Sequence, residues 1–463
     1  MGKARLNDAW AVAWAWARPE HRRATGREVT RVARVRQGSK PFEVTPSAAR
    51  LTESLRDIGY DFPTAIADLV DNSIAAGAHR VDIDIVFDGE DSWVAVADDG
   101  GGMTANGLLE ALRYGSRRSY ETGDLGRYGL GLKTAPLSQC RRVTVATRRS
   151  PVNRLITTRT LDLDVVAEWD AWLVIEDEPS AAVEIAQAKL SDGPGTVVVW
   201  EKLDRILPES RPDGGWAKRR MDNYAAKTAA HLGMVFHRFL EGDCVDQSLT
   251  ITVNGEKVQP WNPFALTEPR TVELPPQIFE INDGAYAGEV SLKRYILPPR
   301  DGFSSLGEFE RLSGPLKWNR QQGLYVYRAN RLVQWGGWSG VRAIDEHTKL
   351  ARAAIDFNTD MDGLFHINVA KMRVSVPSSL KQMLERPLHE LCIRADDAYR
   401  KTSRDRMPSK PKQDRFQGDA TLPGAGLAFR AAAMETGHGP ALRDIVALLK
   451  ARDPGLVKAL GLD

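Results

Sequence analysis

The stretch Asp98-Asp99-Gly100-Gly101-Gly102-Met103 follows the short apolar run Trp93–Ala97. A carboxylate at a strand end can accept a hydrogen bond from an exocyclic amine. Glycines beside it permit positive φ and a close backbone approach to a flat ligand. Taken alone, the same stretch reads equally as a glycine-rich turn. Upstream, Asp68 and Asn72 lie four residues apart, so on a helix they share a face. On a plain surface helix they would simply be solvated. Downstream, Gly126, Gly129 and Gly131 form GxxGxG ahead of a helical segment. Glycines before a helix N-terminus expose backbone N–H groups that bind phosphate. Two familiar alternatives fail. The dinucleotide order GxGxxG is reversed here. A Walker A loop needs lysine directly after the last glycine, whereas Leu132 separates Gly131 from Lys133. Thr196, after Gly193 and Gly195, alone is a turn entering a strand.

These residues need elements to place them. Residues 45–59 read as a helix, with Thr45 as N-cap, Pro46 in the first turn and Gly59 as stop. A second helix begins near Pro63. Its Ile66, Leu69, Val70, Ser73 and Ile74 make the stripe that faces a core, with Asp68 and Asn72 nearly opposite. Val81, Ile83, Ile85 and Phe87 alternate strictly, which predicts a strand with one buried face and a partner strand beyond the Asp88-Gly89 turn. Strands return at 141–149 and 195–203. Helices come first and strands follow, an α+β layered arrangement rather than βαβαβ. A long helical stretch, 221–242, leads into a second α+β region. There Leu324 and Val326 alternate with Tyr325 and Tyr327 as a strand. The expected organisation is a basic arm (1–42), a first α+β domain (43–210), a second (211–385) and a helical C-terminal region (386–463) with a polar linker at 403–425.

Composition is that of an ordinary globular chain: 463 residues, 42% hydrophobic, 27% charged, formal net charge +2. So small a net charge gives no global field that demands nucleic acid. Cys140, Cys244 and Cys392 form no CxxC pair and no zinc spacing, which suits a reducing, cytoplasmic setting. No apolar run is long enough to span a bilayer. The Ala/Trp run near the N-terminus reads as an extended arm that docks on a partner, with a signal peptide as the other reading.

The order and spacing of these segments carry more than any one of them. Acid-xxx-Asn on a helix, DxGxG after the second strand, GxxGxG before a helix and Gly-Thr on a late strand together resemble the GHKL ATPases. That superfamily joins gyrase, the ninety-kilodalton heat-shock chaperones, histidine kinases and MutL. "AIADLVDNSIAAGA", "GRYGLGLKTA", "VNGEKVQPWNPF" and "QGLYVYRANRLV" look like the MORC branch, especially the prokaryotic MORC-like proteins related to MutL. The resemblance covers about 43–385. It implies a Bergerat-type α/β sandwich, a transducer-type α+β domain and a short helical tail, with ATP and Mg²⁺ as ligands.

Residue by residue, the resemblance assigns roles. Asp98 takes the amino group of adenine, Gly100 and Gly102 shape the turn, and Met103 packs on the ring. Asn72 is the Mg²⁺ ligand. Gly126, Gly129 and Gly131 form the lid over the phosphates, Lys133 contacts phosphate, and Thr196 supports adenine through water. Asp68 stands where relatives have the Glu that acts as general base. It is one methylene shorter, so slow turnover is expected, because positioning dominates phosphoryl transfer. Ala75 stands where related families often carry Asp. Lys371 aligns with the transducer lysine that reaches the γ-phosphate; otherwise it is a solvated strand residue. The resemblance further implies an ATP-dependent homodimer acting on DNA with partner proteins of a restriction or phage-defence system. The basic stretches 22–40 and 402–415 fit phosphate contacts through charge, or solvated linkers. Rival readings are a heat-shock-type chaperone, which needs more chain beyond the transducer than residues 386–463 supply, and a sensor kinase. His21 is the one histidine upstream of the pocket, in an arm unlike a kinase's dimerisation helix. A nucleotide-binding scaffold with little hydrolysis is the third.

Overall fold

The computed structural model describes residues 44–57, 59–114, 131–149, 155–176, 179–190, 193–207, 214–244, 248–282, 286–367, 374–406 and 423–452, with Phe42 and scattered positions after 452. Gly126, Gly129 and Lys371 lie outside them, as do residues 1–41.

The chain opens with α1 (Ala48–Arg56) and α2 (Phe62–Ala75). The cap of α1 is Ser47, not Thr45: the Ser47 hydroxyl accepts from the Arg50 N–H. In α2, Asp61 caps by accepting from Thr64 N, and Pro63 occupies the first turn, where its missing N–H costs nothing. β1 (Arg80–Val86) and β2 (Trp93–Asp98) pair antiparallel in the register Val81 opposite Asp98. Val81, Ile83 and Ile85 are buried, as their alternation requires.

Next come α3 (Ala105–Leu112), α4 (Gly131–Leu137), β3 (Arg142–Arg148), β4 (Thr157–Asp162), α5 (Leu163–Trp169), β5 (Ile175–Glu176), α6 (Ala181–Lys189) and β6 (Gly195–Glu201). Then α7 (Gly215–Val235) and α8 (His237–Glu241) lead to β7 (Thr250–Val253) and β8 (Glu256–Lys257). The first sheet has the order β5-β4-β3-β6-β2-β1-β7-β8. All its pairs are antiparallel except β1 with β7. One core, from Tyr60 to Val258, joins α2, α4 and α7 to the sheet. Ala182, Ala186 and Leu190 pack with Ala95, Ala97, Val197 and Val199 as a separate, smaller layer.

The second sheet holds β9 (Val272–Asn282), β10 (Ala287–Ile296), β11 (Gly323–Arg328), β12 (Arg331–Gln334) and β13 (Ala351–Phe357) in the order β12-β11-β13-β10-β9. The short helices α9 (Leu306–Leu312) and α10 (Lys317–Gln321) precede β11, and the long α11 (Ser378–Arg406) follows the sheet. β11 lies inside the sheet, and Leu324, Tyr325, Val326 and Tyr327 are all fully buried. Leu380, Leu384, Leu388 and Leu391 of α11 enter the same core. α12 (Pro423–Glu435) and α13 (Gly439–Arg452) come after it. The architecture is α+β, a helix-and-sheet sandwich followed by a further α+β unit. No described helix is long and apolar enough to cross a membrane.

Candidate functional site

The site begins on α2. Ile66, Leu69, Val70 and Ile74 face the core as their stripe predicts. Asp68 is not solvated: it is only 2% exposed. The Tyr60 hydroxyl lies 3.3 Å from its Oδ2. Asn72, one turn on, has a buried Nδ2 with no hydrogen-bond partner among the described residues. A buried orphan donor is uncommon and points to a missing acceptor. It fits a phosphate-bearing ligand here, and an amide oxygen is a donor that suits a hard cation.

The second part is the turn after β2. Asp98 Oδ2 accepts from the Ser73 hydroxyl at 3.0 Å. Its Oδ1 accepts from Gly100 N at 3.0 Å and Thr196 N at 3.2 Å. Burial pushes the Asp98 carboxyl up, against these three hydrogen bonds, which favour the anion. Ser73 thus ties the Asn72 helix directly to the strand-end carboxylate. The sequence placed Ser73 only in the core stripe. A hydroxyl in an apolar stripe must find a partner, and that is the signal that would have found it.

The glycines of the turn seat it on its neighbours. Gly102 has φ +61°, and a Cβ there would run into the Arg148 backbone carbonyl. Gly100 abuts Ala76 at the end of α2, and Gly101 N donates to Ala76 O at 2.9 Å. Met103 is half-buried and packs against the first core. Its N–H donates to Thr147 Oγ1 at 2.8 Å, and that hydroxyl lies 3.2 Å from Thr196 Oγ1. Thr147 is a site residue the sequence did not reveal, because it lies in an ordinary alternating strand.

The third part is α4, which Gly131 opens. A Cβ at Gly131 would collide with the Asp68 carboxylate, so this glycine allows the helix start to rest on that side chain. Lys133 is buried, and its Nζ donates to Ala111 O at 2.8 Å, beneath α3. Burial lowers its pKa to about 8. Asp68, Asn72, Asp98, Gly100, Gly102, Met103, Gly131 and Thr196 therefore gather around α2, the β2 turn and α4. Among the described residues no group of three His, Cys, Asp or Glu is placed to hold a metal.

Behind α2 runs a polar seam to the second unit. Arg331 of β12 donates from Nε to Asp71 Oδ1 at 2.7 Å, with both side chains buried. His237 Nε2 lies 2.9 Å from Tyr327 Oη, and the Arg238 guanidinium sits over the Tyr327 ring while pairing with Asp356.

Residues 60–196 match the family described as histidine kinase-, DNA gyrase B-, and HSP90-like ATPase. A 91-residue segment is 33% identical to the ATPase morc-1 of Caenorhabditis elegans, covering 19% of this chain and 10% of the worm protein. The matched region spans Asp68, Asn72, Asp98, Met103, Gly131 and Thr196. Residues 60–196 are thus similar to the histidine kinase-, DNA gyrase B- and HSP90-like ATPases, and a 91-residue segment is similar to a MORC ATPase of which it spans about a tenth.

Proposed function

We propose that the chain binds Mg-ATP between α2 and the β2 turn, hydrolyses it slowly, and uses the nucleotide to gate a homodimer that acts on DNA. One observation carries the nucleotide reading: the Ser73–Asp98 hydrogen bond, which ties the helix bearing Asp68 and Asn72 to the strand-end acid. In this reading Asp98 accepts from the adenine amine. The half-buried Met103 lies beside the ring, and Thr196 supports it through water. Asn72 supplies the amide oxygen for Mg²⁺, which when bound neutralises phosphate charge. Asp68 takes the proton of the attacking water. Its short arm and buried setting favour slow turnover, since small misplacements cost rate steeply. Gly126 and Gly129, with Gly131, would close over the phosphates. Lys133, held on Ala111 O here, and Lys371 would supply cationic contacts.

Residues 43–210, with β7 and β8 completing the edge of their sheet, then serve as the nucleotide-binding domain and 211–385 supply the transducer, joined to it also by the Asp71–Arg331 seam. DNA as target, partner proteins of a defence system and a cytoplasmic setting rest on the MORC likeness. The basic stretches 22–40 and 402–415 and the free Cys140, Cys244 and Cys392 are compatible with them. Sedimentation with and without a non-hydrolysable ATP analogue tests the switch. A heavier species with nucleotide is expected, and an unchanged monomer overturns the dimer. Plasmid binding that weakens steeply with salt is expected for phosphate contacts. No binding at low salt, with or without nucleotide, removes DNA from the reading.

A further inference from the structure

Asp68 is one methylene shorter than the glutamate its position resembles, so something must hold its carboxylate where water can meet it. Two neighbours fix the carboxylate in place. Gly131 brings the first turn of α4 against the carboxylate with no room for a side chain. Tyr60, 7% exposed and just ahead of α2, directs its hydroxyl at Asp68 Oδ2, 3.3 Å away. The phenol is itself fixed: Thr134, also on α4, hydrogen-bonds its hydroxyl, and Gln139 Nε2 donates to the Tyr60 carbonyl at 2.9 Å. Burial, then the Asp68 charge, push the Tyr60 hydroxyl well above the usual phenol range. It therefore keeps its proton and acts as donor to Asp68.

We propose that Tyr60 is the positioning residue for Asp68, with Thr134 setting the phenol and so relaying the placement of α4 to the reacting carboxylate. This rests on the reading of Asp68 as general base. Tyr60 donates to Oδ2, and the carboxylate it holds receives a proton. That proton comes from the attacking water as its oxygen bonds to the γ-phosphorus; the bond from that phosphorus to the β,γ-bridging oxygen breaks, and ADP leaves with the bond's electron pair. Tyr60 exchanges no proton. The gain is geometric.

The test is steady-state ATP hydrolysis together with calorimetric ATP binding on the full chain. Tyr60→Phe is expected to lower kcat by about tenfold to a hundredfold while KM and Kd for ATP stay within about threefold. Thr134→Val is expected to lower kcat by a smaller factor of about three to five, also without weakening binding. Adding Asp68→Glu to Tyr60→Phe is expected to return most of the rate, because the longer arm no longer needs the phenol. Wild-type kcat in Tyr60→Phe, or a loss that Asp68→Glu leaves untouched, overturns the role of Tyr60. Asp68→Asn separates the two levels. If it turns over at the wild-type rate, the general-base reading fails and takes this one with it; if it is inactive while Tyr60→Phe is normal, only the present inference fails. A wild-type chain that binds ATP without turning it over removes both.

Discussion

Asp71 and Arg331, 260 residues apart in the chain, meet in an ion pair whose side chains are 0% and 2% exposed. Asp71 immediately precedes Asn72, so the second unit grips the site helix beside its proposed metal ligand. Removing one partner of a buried pair strands the other charge. Arg331→Met is expected to destabilise the chain by about 3–5 kcal/mol in denaturant unfolding. Arg331→Met with Asp71→Leu is expected to recover much of that stability while weakening the response of the second unit to nucleotide. Equal stability of Arg331→Met and wild type would show that the pair contributes nothing net.

The carboxylate of Asp98 is held by three donors and has its pKa raised by burial. A site built around an acceptor disfavours a purine that presents a carbonyl in place of the amine. ATP is expected to bind at least about a hundredfold tighter than GTP, and Asp98→Ala to lose ATP affinity by a similar factor. Calorimetry checks both, and equal ATP and GTP affinities would take Asp98 out of the adenine site.

Gly131 touches the Asp68 carboxylate, and its backbone cannot retreat without moving α4. Gly131→Ala is expected to lower kcat by about tenfold or more while ATP affinity changes by only about threefold. An unchanged turnover rate would mean that Asp68 has slack the packing does not show.

His231 stands beside Trp335, their ring centroids 5.8 Å apart. Burial, with the Arg331 cation adding, lowers its pKa from 6.5 to about 4. Below 6.5 the unfolded chain takes up a proton that the native chain refuses until about 4. Acidification through that window therefore removes stability, by at most about 1.4 kcal/mol per pH unit. His231→Gln is expected to lose less stability than wild type between neutral pH and about pH 5, as thermal unfolding at both values will show. Parallel losses in both proteins would assign the acid sensitivity elsewhere.

Local pattern made much of this legible. The stripe on α2, the alternation in β1 and the order of the acid, amide and glycine motifs placed the helix, the strand pair and the turn. What escaped the sequence are relationships set by the tertiary fold. Nothing near Asp71 announces Arg331, because an ion pair across 260 residues leaves no local period. Asp68 and Asn72 lie opposite the apolar stripe, and periodicity alone sends that face to water. Packing of α4 on α2 buries Asp68 instead. Tyr60 precedes the helix and belongs to no repeat, so only its contact with Asp68 marks it. β13 was missed although its Ala351, Ala353, Ala354 and Ile355 are fully buried, since a strand buried on both faces shows no alternation. The helix cap moved from Thr45 to Ser47, a shift of two residues at an element boundary, where local signals are weakest.

β7 has a consequence for anyone who trims this chain. Residues 250–253 return, after α7 and α8, to lie parallel along β1, and Leu232, Phe236 and Ile251 share a core with α2. A fragment ending at residue 210 would leave the outer edge of β1 with bare N–H and C=O groups beside uncovered leucine and valine, the setting in which strands recruit one another. Such a piece should clump on expression, whereas one carried through Val258 should stay dispersed.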